Sequence, residues 1–139
     1  MAKRNLHIIL ILSLLILILN VAIGCSDNQV HTTPPDLANI PLKSVLGNGK
    51  PTLAEFGSST CIPCKEMKPI LQQLAVDYKG KVNVVIVEVY DQMDIARDYK
   101  IMTIPTQIIF DGDGNEVARH LGFIPREDII YQFKKMGIE

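Results

Sequence analysis

The chain has no tryptophan, only three cysteines and three histidines among its 139 residues, and a formal net charge of -1. Each shortage removes a class of function. The lysines and arginines are dispersed rather than gathered into a patch, so there is no electrostatic case for a nucleic-acid partner. Structural zinc needs about four ligands. His7, His31, His120 and Cys25 are scattered around a single C-x-x-C pair and do not form such a set, so no metal is expected. No internal repeat or low-complexity run occurs. What is left, with a hydrophobic fraction of 47%, is room for one compact domain and an extension.

The extension comes first. Lys3 and Arg4 precede an apolar run from Ile8 to Leu19 broken only by Ser13, and Val21-Ala22-Ile23-Gly24-Cys25 follows. A basic start, an apolar middle and a small residue before a processing point are the order of an export signal over residues 1–24. Cys25 is the odd cysteine of three, and the segment resembles a bacterial lipoprotein signal, in which the cysteine after Gly24 is lipidated and becomes the first mature residue. Ala22 stands where such signals usually have leucine. An uncleaved membrane anchor over Leu6 to Ile23 and simple secretion are the alternatives. All three put the remainder outside the cytoplasm, facing the periplasm or cell exterior. Residues 25–41 are polar, carry Pro34-Pro35 and have few large apolar groups, so they read as a flexible tether.

The folded part is expected over residues 42–139, organised around Ser58-Ser59-Thr60-Cys61-Ile62-Pro63-Cys64-Lys65. Thr52 to Phe56 reads as a short buried strand leading into it, and Cys64, Met67, Leu71, Leu74, Ala75 and Tyr78 then recur on one helical face. Ser59 or Thr60 is placed to cap that helix, with Pro63 in its first turn. Cys61 therefore falls at a helix start, where free backbone N–H groups and the macrodipole favour thiolate over thiol, with Lys65 adding a nearby cation. Cys64 lies about one turn further in, within reach of a mixed disulfide at Cys61. That spacing makes Cys61 the attacker and Cys64 the resolver. A purely structural disulfide here would close too small a loop to stabilise the chain much.

Downstream, Val82 to Val89 is a β-branched run apolar enough to be expected in the middle of a sheet, and a short helix follows around Met93 to Tyr99. Strand, helix, strand in that order implies a right-handed crossover and a parallel pair. Ile104-Pro105-Thr106 opens another strand, Asp111-Gly112-Asp113-Gly114-Asn115 turns it, and Glu116 to Leu121 returns as its antiparallel partner. The turn lacks the glycine and glutamate that a calcium loop requires at its sixth and twelfth positions. A last helix starts near Pro125, carries Glu127 and Asp128 in its first turn, and turns Ile129, Ile130 and Phe133 to the sheet. The class is α/β, a mixed sheet of a parallel βαβ unit plus an antiparallel hairpin, flanked by helices.

Taken together these landmarks resemble the thioredoxin family over roughly residues 42–139. Cys61-Ile62-Pro63-Cys64-Lys65 resembles that family's active-site loop, Pro69 its helix-kinking proline, Ile104-Pro105-Thr106 its cis-proline loop, and Gly122 the glycine after its last strand. The resemblance implies Cys61 as nucleophile, Cys64 as resolving thiol, and Ile62, Pro63, Ile104 and Pro105 as the surface that receives an extended substrate segment. Glu55, six residues before Cys61, stands where the family usually has a buried aspartate, and is taken as the group that removes the proton from Cys64. Thr60 replaces the usual tryptophan and Ile62 the usual glycine, which makes the rim of the site more aliphatic and points to a different set of partners.

The activity so implied is thiol:disulfide exchange by a membrane-tethered monomer, without metal or organic cofactor, on protein thiols and disulfides outside the cytoplasm. The Ile-Pro pair between the cysteines is similar to the reducing branch of the family, so a reductant recharged by a membrane electron donor is expected. The alternatives are an oxidant or isomerase, and a copper-binding module using Cys61 and Cys64 with Met102 or His120.

Overall fold

A computed structural model describes residues 34–38 and 40–139. The export signal over residues 1–24, Cys25, His7, His31 and the first part of the tether lie outside the described residues. Among those described, no helix is long and apolar enough to cross a membrane.

The elements run α1 (Leu42–Val45), β1 (Thr52–Gly57), α2 (Ile62–Asp77), β2 (Asn83–Glu88), α3 (Met93–Asp98), β3 (Thr106–Phe110), β4 (Glu116–Leu121) and α4 (Arg126–Lys135). The four strands form one sheet in the order β2-β1-β3-β4. β1 is parallel to β2 and antiparallel to β3, and β3 is antiparallel to β4, so the expected α/β class and mixed sheet are observed.

Strand alternation sorts the side chains onto two faces. Leu53 on β1, Val84 on β2 and Ile109 on β3 pack with Met67, Leu71 and Leu74 of α2 and with Ile129 and Phe133 of α4. On the other face Ala54, Phe56, Val85, Val87, Ile108 and Phe110 pack against Leu42 of α1, with Ile95 and Tyr99 from the α3 region closing over them. α2 runs from Ile62 to Asp77 through Pro69, which is exposed and leaves the carbonyl one turn earlier without its helical donor. α4 begins after Pro125 and has Glu127 and Asp128 in its first turn and Lys134 and Lys135 in its last, the charge order that suits the helix dipole.

Two expectations are corrected here. The 82–89 run was expected in the middle of the sheet, yet β2 is an edge strand, and β1 and β3 are central. Its apolar content reports two covered faces rather than two strand neighbours, since Val84 joins one cluster and Val85 and Val87 the other. The tether was expected to run to residue 41, but Leu37 is buried and its carbonyl accepts a 3.0 Å hydrogen bond from the Ile86 N–H. An otherwise unpaired edge N–H and an apolar side chain over the α2 face are enough to bring the fold's start back to Leu37.

Candidate active site

The loop between β1 and α2 is fixed by its own hydroxyls and by one carboxylate. Ser58 Oγ lies 2.9 Å from Thr60 Oγ1 and accepts from the Thr60 N–H, while the Ser58 carbonyl accepts from the Cys61 N–H. Glu88, at the end of β2, accepts a 2.7 Å hydrogen bond from the Ser59 N–H. The helix begins at Ile62, one residue later than the expected caps allow, so Ser59 and Thr60 lie upstream of the N-cap and neither caps the helix. The cap is Cys61 itself, in an extended conformation, whose sulfur accepts from the Cys64 N–H at 3.3 Å.

Cys61 and Cys64 are joined as a disulfide, their Cα atoms 5.3 Å apart. The two sulfurs are not equivalent. Cys61 is half-buried at the mouth of the helix, whereas Cys64 is 7% exposed and faces the sheet. Ile62 between them is 72% exposed and Pro63 half-buried, so the tip of the site is aliphatic.

Glu55 lies on β1, on the face that carries α2, and is 1% exposed. Burial without a compensating cation pushes its carboxyl up from 4.5 to about 8. A Cβ placed on Gly57 would sit 3.0 Å from Glu55 Oε1 and 3.2 Å from Cys64 Sγ. The carboxyl and the inner sulfur therefore border one small space that the missing side chain leaves open. The space joins a cavity of about 140 Å³ bordered also by Ala38, Lys65, Lys68 and Glu88, large enough to admit water.

At the mouth of β3, whose Thr106 is in register with Phe56 at the end of β1, the Ile104–Pro105 peptide bond is cis. Thr106 Oγ1 donates to the Thr103 carbonyl at 2.8 Å, and the Gly122 N–H donates to the Pro105 carbonyl at 2.8 Å, so both sides of this loop are tied down. Next to it lies a surface groove of about 540 Å³ lined by Val89, Tyr90, Met93, Ile101, Met102 and Ile104. Tyr90, Met93 and Met102 are largely exposed.

The copper reading required a third ligand beside the two sulfurs. Met102 is in the groove, 92% exposed, and His120 is on β4 with Nε2 3.1 Å from the Phe123 carbonyl. Among the described residues no group of three or more His, Cys, Asp or Glu side chains is arranged so that it could hold a metal ion. Three residues of the site escaped the sequence reading: Gly57, Glu88 and Gln107. Gln107 is 2% exposed in β3, ahead of the apolar Ile108, Ile109 and Phe110, and a buried amide in such a strand is the same signal that drew attention to Glu55.

The family model of a thioredoxin-like domain matches residues 39–137. Thioredoxins of three Staphylococcus aureus strains, Mu50, MW2 and COL, are each 39% identical over 77 residues, which is 55% of this chain and 73% of theirs.

Proposed function

The chain belongs to the thioredoxin family and is a thiol:disulfide oxidoreductase, and from that premise we propose that it is a reductant of protein disulfides outside the cytoplasm, with Cys61 attacking and Cys64 resolving. The observation that carries the division of labour is the inequality of the two sulfurs. Cys61 caps α2 with an N–H aimed at it, an arrangement that stabilises a thiolate once the disulfide is reduced. Cys64 is shielded from a partner but lies beside Glu55.

The Cys61 thiolate attacks one sulfur of a partner disulfide, forming a mixed disulfide and releasing the partner's other sulfur as thiolate. The Glu55 carboxylate then takes the proton from the Cys64 thiol. The Cys64 thiolate attacks Cys61 Sγ, which breaks the mixed disulfide and expels the partner's second thiolate. Two electrons have passed to the partner, the Cys61–Cys64 disulfide is formed, and the partner's thiolates take protons from solvent and from Glu55. Ile62, Pro63, Ile104 and Pro105 receive the partner's extended segment, and the apolar groove beyond Ile104 gives it further surface. A dithiol donor at the membrane returns the two electrons.

Two features of the sequence support the setting and the direction. The order of residues 1–25 is that of an exported lipoprotein, which ties the domain to a membrane through Cys25. The Ile-Pro pair between the cysteines is an aliphatic insert without the histidine of strongly oxidising relatives. A Cys64→Ser trap in the native host tests the reading. Mixed disulfides on Cys61 with exported proteins are expected from the trap, and a reduction potential of about -270 mV from the parent protein. A potential near about -120 mV would make it an oxidant. Alkylation of Cys61 at neutral pH no faster than free cysteine would remove the assignment of the attacker.

A further inference from the structure

The rungs of the sheet change character from one to the next. Val84, Leu53, Ile109 and Ala118 stand in register across the four strands on the α2 face, and all four are apolar. The next rung on that face is Ile86, Glu55, Gln107 and His120. Glu55 and Gln107 are direct partners on antiparallel strands, where Cβ atoms stand about 4.5–5.5 Å apart and side chains of this length reach one another. Both are buried, and Glu55 Oε2 and both polar atoms of the Gln107 amide make no hydrogen bond with the described residues. A second cavity, about 70 Å³, lies on the far side of Gln107, between it and His120.

We propose that Gln107 is the positioning residue for Glu55, its amide holding the carboxyl beside Cys64 in both protonation states. An amide is suited to this because it presents a donor and an acceptor. Nε2–H donates to the carboxylate, and after the carboxylate has taken the Cys64 proton, the new O–H donates to Oε1. The exchange needs only rotation of the amide, and no proton passes through it. The amide's bond to the carboxylate is charge-assisted and the stronger of the two, so Gln107 lowers the proton affinity that burial raises and keeps a fraction of Glu55 ionised near neutral pH. The other charged and titratable groups bordering the cavity that Glu55 lines are Cys64, Lys65 and Lys68 on α2 and Glu88 on β2, while His120 on β4 stands one strand further on, beyond Gln107. None of them is a direct register partner of Glu55.

The inference rests on the role given to Glu55 above, and the experiment separates the two. A nitrobenzoate disulfide added to the reduced full-length protein releases one coloured thiolate on attack by Cys61 and a second on resolution by Cys64. The second phase is followed from pH 5 to pH 10 for the parent, Gln107→Leu, Glu55→Gln and the double variant. Gln107→Leu is expected to move the inflection of the resolution rate upward by about one pH unit, making resolution about tenfold slower on its acid side. In the Glu55→Gln background the same substitution should change nothing. A titration of the Glu55 side-chain carbon in ¹³C-glutamate-labelled protein should show the same upward shift, independent of turnover. If Glu55→Gln resolves as fast as the parent, the role of Glu55 fails and this inference with it. If Glu55→Gln is slow but Gln107→Leu keeps the parent inflection, or slows equally at every pH, Gln107 is only a packing residue and the inference alone is overturned.

Discussion

Glu55 Oε1 and Cys64 Sγ face each other across the space where Gly57 has no side chain. The backbone of Gly57 does not require glycine, since its φ is not positive, so the requirement comes from what surrounds it. A methyl there would stand 3.0 Å from the carboxyl oxygen, 3.2 Å from the sulfur and 3.3 Å from Cys64 Cβ, all closer than ordinary contact. Gly57→Ala is therefore expected to destabilise the oxidised domain by about 1–3 kcal/mol, as overpacking does. With Glu55 in the role proposed above, it should also slow resolution by displacing the carboxyl from the Cys64 thiol. Urea unfolding and stopped-flow kinetics check the two effects separately.

The stability of the oxidised domain should fall as pH rises, in a window set by Glu55. In the unfolded chain the carboxyl ionises at 4.5, and burial raises it to about 8 in the fold. Below 4.5 both states hold the proton and burial of the neutral acid carries no ionic penalty. Between the two values the unfolded chain has released the proton and the fold still holds it, so stability declines by about 1.4 kcal/mol per pH unit. The loss reaches about 5 kcal/mol above the upper value. Glu55→Gln should flatten this slope, leaving the variant more stable than the parent at pH 9. Urea midpoints at pH 5 and pH 9 for both proteins measure it.

Much of this architecture was legible because it is local. The Thr52–Gly57 strand, the helix carrying Cys64, Met67, Leu71 and Leu74 on one face, the Asp111–Asn115 turn and the Pro125 helix start each depend on residues a few positions apart. The order of strands did not emerge from pattern, because β-branched residues on β2 report covered faces and are silent about neighbours. The cap at Cys61 was hidden because Ser59 and Thr60 are the stronger capping residues by type, whereas the helix starts only at Ile62 and leaves the sulfur to accept the Cys64 N–H. The pairing of Glu55 with Gln107 requires the register of β1 against β3, which no single segment contains.

Glu88 anchors the cysteine loop from outside it, through its 2.7 Å bond from the Ser59 N–H. Glu88→Ala would leave that N–H without its partner and release the loop that precedes Cys61. The expected cost is about 1 kcal/mol, with faster amide exchange at Ser59 and little change in the core. Glu88→Gln retains an acceptor oxygen and should keep most of the protection. Hydrogen exchange at Ser59 in the three proteins distinguishes loss of this bond from general loosening.

The Pro105 carbonyl depends on a glycine that cannot easily be anything else. Gly122 has φ +90 and donates its N–H to that carbonyl at 2.8 Å, joining the end of β4 to the loop that opens β3. A Cβ at this position would meet nothing within 4 Å, so crowding is no obstacle. The obstacle is the backbone itself, since L-residues reach this region only at a cost of about 1–2 kcal/mol. Gly122→Ala should therefore lower stability by that amount without disturbing the core. Relaxation toward negative φ would swing the N–H away from Pro105 and loosen the loop that carries it. A lowered urea midpoint together with lost exchange protection at residue 122 is the expected pair of results, and a fully protected amide would show the strained conformation to be retained.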